Sequence, residues 1–144
     1  MTGTGEAFLG TWELLSRIDR AADGSLREDP ALGSDALGVL TYVPGRFAAQ
    51  FMKRDRSGPA VAVTGSGSNN TFAQGGYDAY FGRWERQADG SILHRREASL
   101  TPGNIGLEVS RRLTVEDGRL VIRLDTATVD DEPVTRTLTW RRIG

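Results

Sequence analysis

The sequence predicts an all-β domain, an eight-stranded antiparallel up-and-down barrel with an internal cavity. Three observations lead to this fold class. Short segments rich in Val, Ile, Leu, Thr, Tyr and Trp recur along the 144 residues, tight-turn signals separate most of them, and the best-patterned segments alternate apolar and polar residues. Eight short strands joined by hairpins suggest a closed barrel or a sandwich. Closure leaves no exposed strand edge, and an eight-stranded barrel can hold one small ligand.

Eight segments are expected to be strands, with bounds 8–18, 36–43, 46–54, 77–87, 91–100, 106–116, 119–129 and 134–143. The turn signals are ADGS at 22–25 and again at 88–91, VPGR at 43–46, TPGN at 101–104 and EDGR at 116–119. Asp-Gly between apolar runs favours a hairpin, because both residues tolerate the positive φ of tight turns. No helical periodicity extends beyond two turns.

The last two segments show the alternation most clearly. In 119–129 every second residue is a large aliphatic one, namely Leu120, Ile122 and Leu124. In 134–143 the apolar residues Val134, Leu138 and Trp140 alternate with threonines at 135, 137 and 139. This pattern is typical of antiparallel strands with one buried face and one solvent-exposed face.

Two kinds of segment break the pattern. Residues 57–76 are long and rich in Gly, Ser and Asn, which indicates a lid-like loop with a short helical turn near 71–74. The charged runs 16–30 and 53–56 alternate in sign and are interpreted as solvated surface.

Length and composition favour one domain over residues 1–144. The chain has no cysteine and a single histidine, His94, so we expect neither a metal site nor a cofactor. The net charge of −1 gives no reason to expect a nucleic-acid partner. No apolar run approaches a membrane span and the N-terminus does not read as a signal peptide, so a cytoplasmic location without membrane contact is expected.

A family resemblance rests on several motifs in order. Gly10-Thr11-Trp12 opens the first strand in LGTWELLS, and it is followed by GVLTYVPGRFAAQFM, YDAYFGRWE and ILHRREASLTPGNIG. Over about residues 8–125 the chain resembles the bacterial lipocalin-like domain family. The resemblance implies a barrel whose closed end is plugged by Trp12, with Arg141 or Arg142 stacked on that ring. It does not imply one reaction, because such barrels serve both as binders and as cofactor-free biosynthetic enzymes.

Three polar side chains are candidates for the cavity. On segment 91–100, His94 and Arg96 alternate in phase with Ile92, and that face is expected to point inward. His94 is then either a cavity residue, kept neutral by the neighbouring arginine, or a half-wet residue near the rim. Arg111 shares a face with Val109 and Leu113, and a buried guanidinium requires a carboxylate or an anionic ligand.

Segment 77–87 places Tyr80 and Trp84 on one face with Asp78 and Gly82, and Tyr77 on the other. Gly82 is expected to mark a β-bulge. The aromatic residues of this segment are interpreted either as part of the core or as the lining of a ligand site.

Two functions compete. The first is binding of a small apolar or aromatic molecule, with contacts from Trp12, Tyr42, Phe47, Phe51, Met52, Tyr77, Trp84, Arg96 and Trp140. The second is a cofactor-independent isomerase, cyclase or dehydratase of natural-product biosynthesis. There His94 is the acid or base, Tyr80 donates a hydrogen bond, and Arg111 or Arg96 stabilises an oxyanion. A barrel with a filled interior that binds a partner is a third reading, and a homodimer is left open.

Overall fold

A computed structural model describes residues 6–57, 62–64 and 72–144. Within these ranges the strands are β1 (Gly10–Ala21), β2 (Leu26–Arg27), β3 (Leu37–Val43), β4 (Arg46–Met52), β5 (Ala62–Thr64), β6 (Phe72–Gln74), β7 (Tyr77–Arg86), β8 (Ile92–Ser99), β9 (Glu108–Glu116), β10 (Arg119–Ala127) and β11 (Pro133–Arg142). One 3₁₀ turn, Pro102–Asn104, precedes β9. All eight predicted strands are present, each with bounds within three residues of those expected.

The eight long strands close into an antiparallel barrel, as predicted. Their order around the barrel is β1, β3, β4, β7, β8, β9, β10 and β11. Two pairings complete the ring, that of β11 with β1 and that of β4 with β7 across the 57–76 segment. Two-residue turns at 44–45 and 117–118 join β3 to β4 and β9 to β10, in the expected positions. The chain therefore has the closed up-and-down topology, and not that of a sandwich.

Two bulges change the side-chain phase. On β1 the pairing with β11 shifts register between Leu14 and Ser16, so Leu15 is exposed while Trp12 and Arg17 are both buried. On β7 the register shifts between Phe81 and Gly82, as predicted. A Cβ at Gly82 would lie 1.9 Å from the Arg95 carbonyl oxygen, so only glycine allows this approach.

The long 57–76 segment is described only in part, and the prediction of a lid-like loop at 58–61 and 65–71 lies outside the described residues. The helical turn expected near 71–74 is wrong. Phe72–Gln74 is a strand that pairs with β5, and it turns into β7 through Gly75 and Gly76, whose φ values are 59° and 78°. Positive φ at both positions builds a tight hairpin instead of a helix.

The interpretation of 16–30 as solvated surface is also wrong in part. Arg17, Asp19 and Asp29 are 4%, 4% and 8% exposed. The β1 bulge turns the odd-numbered residues inward after Leu15, and the segment after β2 folds Asp29 against the same interior.

Candidate functional site

The barrel interior contains a small pocket with a cavity volume of about 50 Å³. Its lining is apolar on one part and polar on the other. The apolar residues are Leu32, Leu40, Ala49, Phe51, Ile122, Leu124, Leu138 and Trp140. The polar ones are Arg17, Asp78, Tyr80, His94, Arg96, Arg111 and Arg136. An apolar pocket with a few convergent polar groups is the usual form of a small-molecule site.

Strand alternation explains most of the polar lining. On β8 the buried residues Ile92, His94 and Arg96 alternate with exposed or half-exposed ones, which confirms the predicted inward face. On β9 the same alternation buries Arg111, as its pattern predicted. The polar residues thus occupy positions that the sheet pleat requires to point inward.

The part of the barrel that contains Arg17, Asp19 and Arg136, with Asp29 beside them, is here called the β1–β11 wall. Both of its arginines are paired with carboxylates. Arg136 donates to both carboxylate oxygens of Asp19, from Nε at 2.7 Å and from Nη2 at 2.9 Å. Arg17 donates to Asp29 at 2.5 Å. Burial raises the pKa of Asp29, but Arg17 and Arg136 outweigh it, so that pKa lies below its ordinary value. Both ion pairs are buried, and the Arg136–Asp19 pair has the two-pronged fork geometry.

The opposite wall, formed by β7, β8 and β9 and here called the β7–β9 wall, contains Arg96 at 3% exposure. Its guanidinium lies over the Tyr80 ring, with 3.8 Å from Cζ to the ring centroid. Its Nε and Nη1 atoms are buried and have no hydrogen-bond partner among the described residues. Arg96 acts electrostatically on the carboxyl of Asp78, yet no ion pair within 4.0 Å joins them in the described part of the chain.

Asp78 lies in the same wall and is 2% exposed. Burial raises the pKa of this carboxyl to about 6, although Arg96 acts in the opposite direction. Its Oδ1 atom has no partner among the residues that the structure describes. The cavity therefore contains a carboxyl group that exchanges a proton near neutral pH.

His94 lies inside the barrel, 4% exposed, and not at a wet rim. Its ring stacks on Phe47 at 4.1 Å, and its Nε2 lies 2.7 Å from the Tyr42 hydroxyl. Burial lowers the pKa of His94 well below 6.5, and Arg111 and Arg96 lower it further. The imidazole is neutral at pH 7, in agreement with the cavity reading.

Arg111 lies beside these groups and donates to the Ser110 carbonyl oxygen at 3.1 Å. Burial lowers its pKa to about 10, so the guanidinium still carries its charge at neutral pH. Burial also raises the pKa of Tyr42, so this phenol stays protonated. The described interior thus contains four buried arginines and three buried aspartates, an excess of one positive charge.

The predicted site residues fall into three groups. Tyr80, His94, Arg96, Arg111, Phe51 and Trp140 line the cavity. Tyr42 and Phe47 form the layer behind His94. The remaining four do not line it: Trp12 is fully buried under Arg142, Trp84 donates to the Val43 carbonyl oxygen, and Met52 and Tyr77 lie at a groove on the outer surface.

Sequence reasoning missed Arg17, Asp19, Asp29 and Arg136 as interior residues. Arg136 was detectable, because it falls in phase with Val134 and Leu138 on a clearly alternating strand. Arg17 and Asp19 were not, because a bulge reverses the phase that the first half of β1 sets. The arginine stacked on Trp12 is Arg142, with its Cζ 4.3 Å from the ring centroid.

Among the described residues, no group of three or more His, Cys, Asp or Glu side chains could hold a metal ion. The described elements include no helix that is long and apolar enough to cross a membrane. A family model described as a lipocalin-like domain matches residues 9–143, nearly the whole chain. No curated protein and no solved structure matches.

Proposed function

The chain belongs to the lipocalin-like domain family, and on that premise we propose that it binds a small molecule with an apolar or aromatic body inside the barrel. The observation that carries the proposal is the divided lining of the cavity. Leucine, isoleucine and aromatic side chains offer apolar contact, while Arg96, His94 and Asp78 present polar atoms that the described residues leave without partners. Apolar contact supplies affinity, and a few polar groups fix the orientation of a ligand.

Ala49 allows a direct test, because it lines the cavity while its neighbour Ala48 faces outward on the same strand. We expect a naphthalene panel (2-naphthol, 2-naphthamide and 2-naphthoate) to include members that bind saturably. Binding should quench Trp140 fluorescence and shift the NMR signals of the single histidine.

Ala49→Leu should abolish this binding by filling the cavity, whereas Ala48→Leu should leave it intact. Thermal unfolding of both variants shows whether overpacking has cost stability, which is typically about 1–3 kcal/mol. If no panel member binds the unsubstituted protein, or if both leucine variants bind alike, the cavity is not the binding site.

A second function is favoured by one observation: a carboxyl group and a neutral imidazole line the same cavity. Asp78 and His94 each have one ring or carboxylate atom without a partner in the described structure. Such a pair suits a cofactor-free isomerase or cyclase that moves a proton between two carbons of one molecule. Tyr80 and Arg111 would stabilise the enolate oxygen formed between the two proton transfers.

β-Tetralone tests this second function, since it is an aromatic ketone with acidic α-protons. In deuterium oxide the enzyme reading predicts exchange of these protons above the buffer background, measured by NMR. Asp78→Asn or His94→Ala should return the rate to background. Exchange that persists in both variants, or a bound ketone that does not exchange, would leave ligand binding as the function.

A further inference from the structure

Among the described residues, Arg96 lacks the carboxylate partner that the interior arginines Arg17 and Arg136 have. Arg136, on the opposite wall, shows how this barrel satisfies a buried guanidinium: two nitrogens donate to both oxygens of one carboxylate. Arg96 is equally buried and lines the same cavity, but its Nε and Nη1 donate to none of the described residues. Leaving a buried donor unsatisfied costs free energy, and the cost is larger for a charged group.

Packing holds this guanidinium in place without satisfying it. The Tyr80 ring covers one face of Arg96 at 3.8 Å. A cation–π contact engages the face of the guanidinium plane and leaves its N–H groups directed outward in that plane. Arg96 is therefore oriented by an aromatic ring while its Nε and Nη1 donors lack acceptors in the described part of the chain, which is the arrangement of a preorganised binding group.

The charges of the interior indicate what should complete it. Among the described residues, Arg17 and Arg136 are matched by Asp29 and Asp19, whereas Nε and Nη1 of Arg96 have no acceptor. His94 is neutral there. A negative group beside Arg96 would supply the acceptors that these nitrogens lack among the described residues, and a carboxylate is the group whose two oxygens match the fork of a guanidinium.

We propose that the ligand of this barrel is a small organic carboxylate and that Arg96 binds its carboxylate group, an inference that rests on the proposed function. The apolar body of the ligand lies against residues such as Leu40, Phe51 and Leu138. Tyr80 acts as a positioning residue, because it contacts Arg96 and orients the fork.

The test compares 2-naphthoate with 2-naphthamide, which has nearly the same shape and no charge, by calorimetry at pH 7.5. We expect the unsubstituted protein to bind the carboxylate at least tenfold more tightly, which corresponds to about 1.4 kcal/mol. Arg96→Met should erase that preference by weakening naphthoate at least tenfold, and should leave naphthamide within about twofold. Arg95→Met is the matched control, because Arg95 is the neighbour whose side chain points outward to Glu108.

Arg96→Lys keeps the charge and loses the planar fork, so its preference for naphthoate should fall between those of the unsubstituted protein and Arg96→Met. If Arg96→Met does not fold, this second variant decides, and an unchanged preference in Arg96→Lys overturns the inference. Equal binding of the two probes to the unsubstituted protein overturns the carboxylate inference alone. Failure of both probes to bind overturns the proposed function together with it.

Discussion

The two opposite walls of the barrel treat buried charge differently. On the β1–β11 wall, each arginine has a carboxylate partner that the chain itself supplies, at 2.5–2.9 Å. On the β7–β9 wall, Arg96 stacks on an aromatic ring and Asp78 carries an oxygen without a partner in the described structure. Both walls bury ionisable groups to a similar depth, so burial alone does not distinguish them.

This difference distinguishes buried charges that stabilise the fold from buried charges that are available to a ligand. A buried ion pair that is complete contributes to a unique structure, and breaking it is strongly destabilising. A buried charge without a partner weakens the ligand-free fold, and it is retained where a ligand supplies the missing group. The β1–β11 wall is therefore interpreted as structural and the β7–β9 wall as the binding wall.

The largest effect is expected on the structural wall. Arg136→Met leaves the Asp19 carboxylate buried without its partner, and should lower the free energy of unfolding by about 3–5 kcal/mol. Urea unfolding at pH 7.5 measures it.

Arg123→Met is the control for this prediction, since Arg123 is paired with Glu116 at 3.0 Å on the outside of the barrel and should cost about 0–1 kcal/mol. Similar losses in the two variants would remove the distinction between the inside and the outside of the sheet.

Arg136 also shows how much of the structure can be predicted from the sequence. Strand alternation and Asp-Gly turns depend on residues close together in the chain, so they locate the eight strands and the inward faces of β8 and β9. Alternation likewise places Arg136 inside. Pairing partners are a different matter, because Asp19 lies 117 residues away and reaches Arg136 only after a bulge has changed the phase of β1.

The same limit applies to the candidate site. His94, Arg96 and Arg111 could be named as inward-facing from their own strands. Whether Arg96 meets a carboxylate, an aromatic ring or nothing depends on the closure of the barrel, which brings residues of β7 beside β8. Sequence patterns therefore predict which charges are buried, and the three-dimensional structure is needed to determine which of them are paired.

The second-largest effect concerns Asp78 on the binding wall. Its pKa is raised from 3.8 to about 6 by burial, so the folded state binds a proton that the unfolded state releases between these values. Stability should therefore fall as the pH rises from about 4 to about 6, with a total penalty of about 3 kcal/mol that is complete at higher pH. Asp78→Asn should remove this penalty, so the variant should gain on the unsubstituted protein as the pH rises.

Denaturation between pH 4 and pH 8 measures that difference. Asp125→Asn is the control of opposite sign, because Arg112 lowers the pKa of Asp125 on the outer surface. A pH-independent difference between Asp78→Asn and the unsubstituted protein would show that Asp78 titrates normally, and the two walls would then be alike in this respect.

A smaller effect is expected behind the binding wall. Tyr42→Phe removes the hydroxyl 2.7 Å from His94 Nε2 and leaves the buried imidazole with no partner on that nitrogen, at a cost of about 1–3 kcal/mol. Tyr77→Phe removes an exposed hydroxyl that donates to Gln50 at 3.0 Å, and should change the unfolding free energy by less than about 0.5 kcal/mol. If the two substitutions lower the unfolding free energy by the same amount, the Tyr42 hydroxyl does not stabilise His94.

The smallest effect on the unfolding free energy is expected for the substitution of Arg96. Arg96→Met removes a buried positive charge whose Nε and Nη1 have no acceptor among the described residues, and the methionine retains apolar contact with the Tyr80 ring. The unfolding free energy of the ligand-free protein should stay within about 1 kcal/mol of its original value or rise, because burying an unpaired charge costs free energy that an apolar side chain does not. A loss as large as that of Arg136→Met would mean that Asp78 already serves Arg96 as a structural partner. A protein that folds equally well without a buried arginine, and loses only its preference for carboxylates, retains that arginine for its ligand.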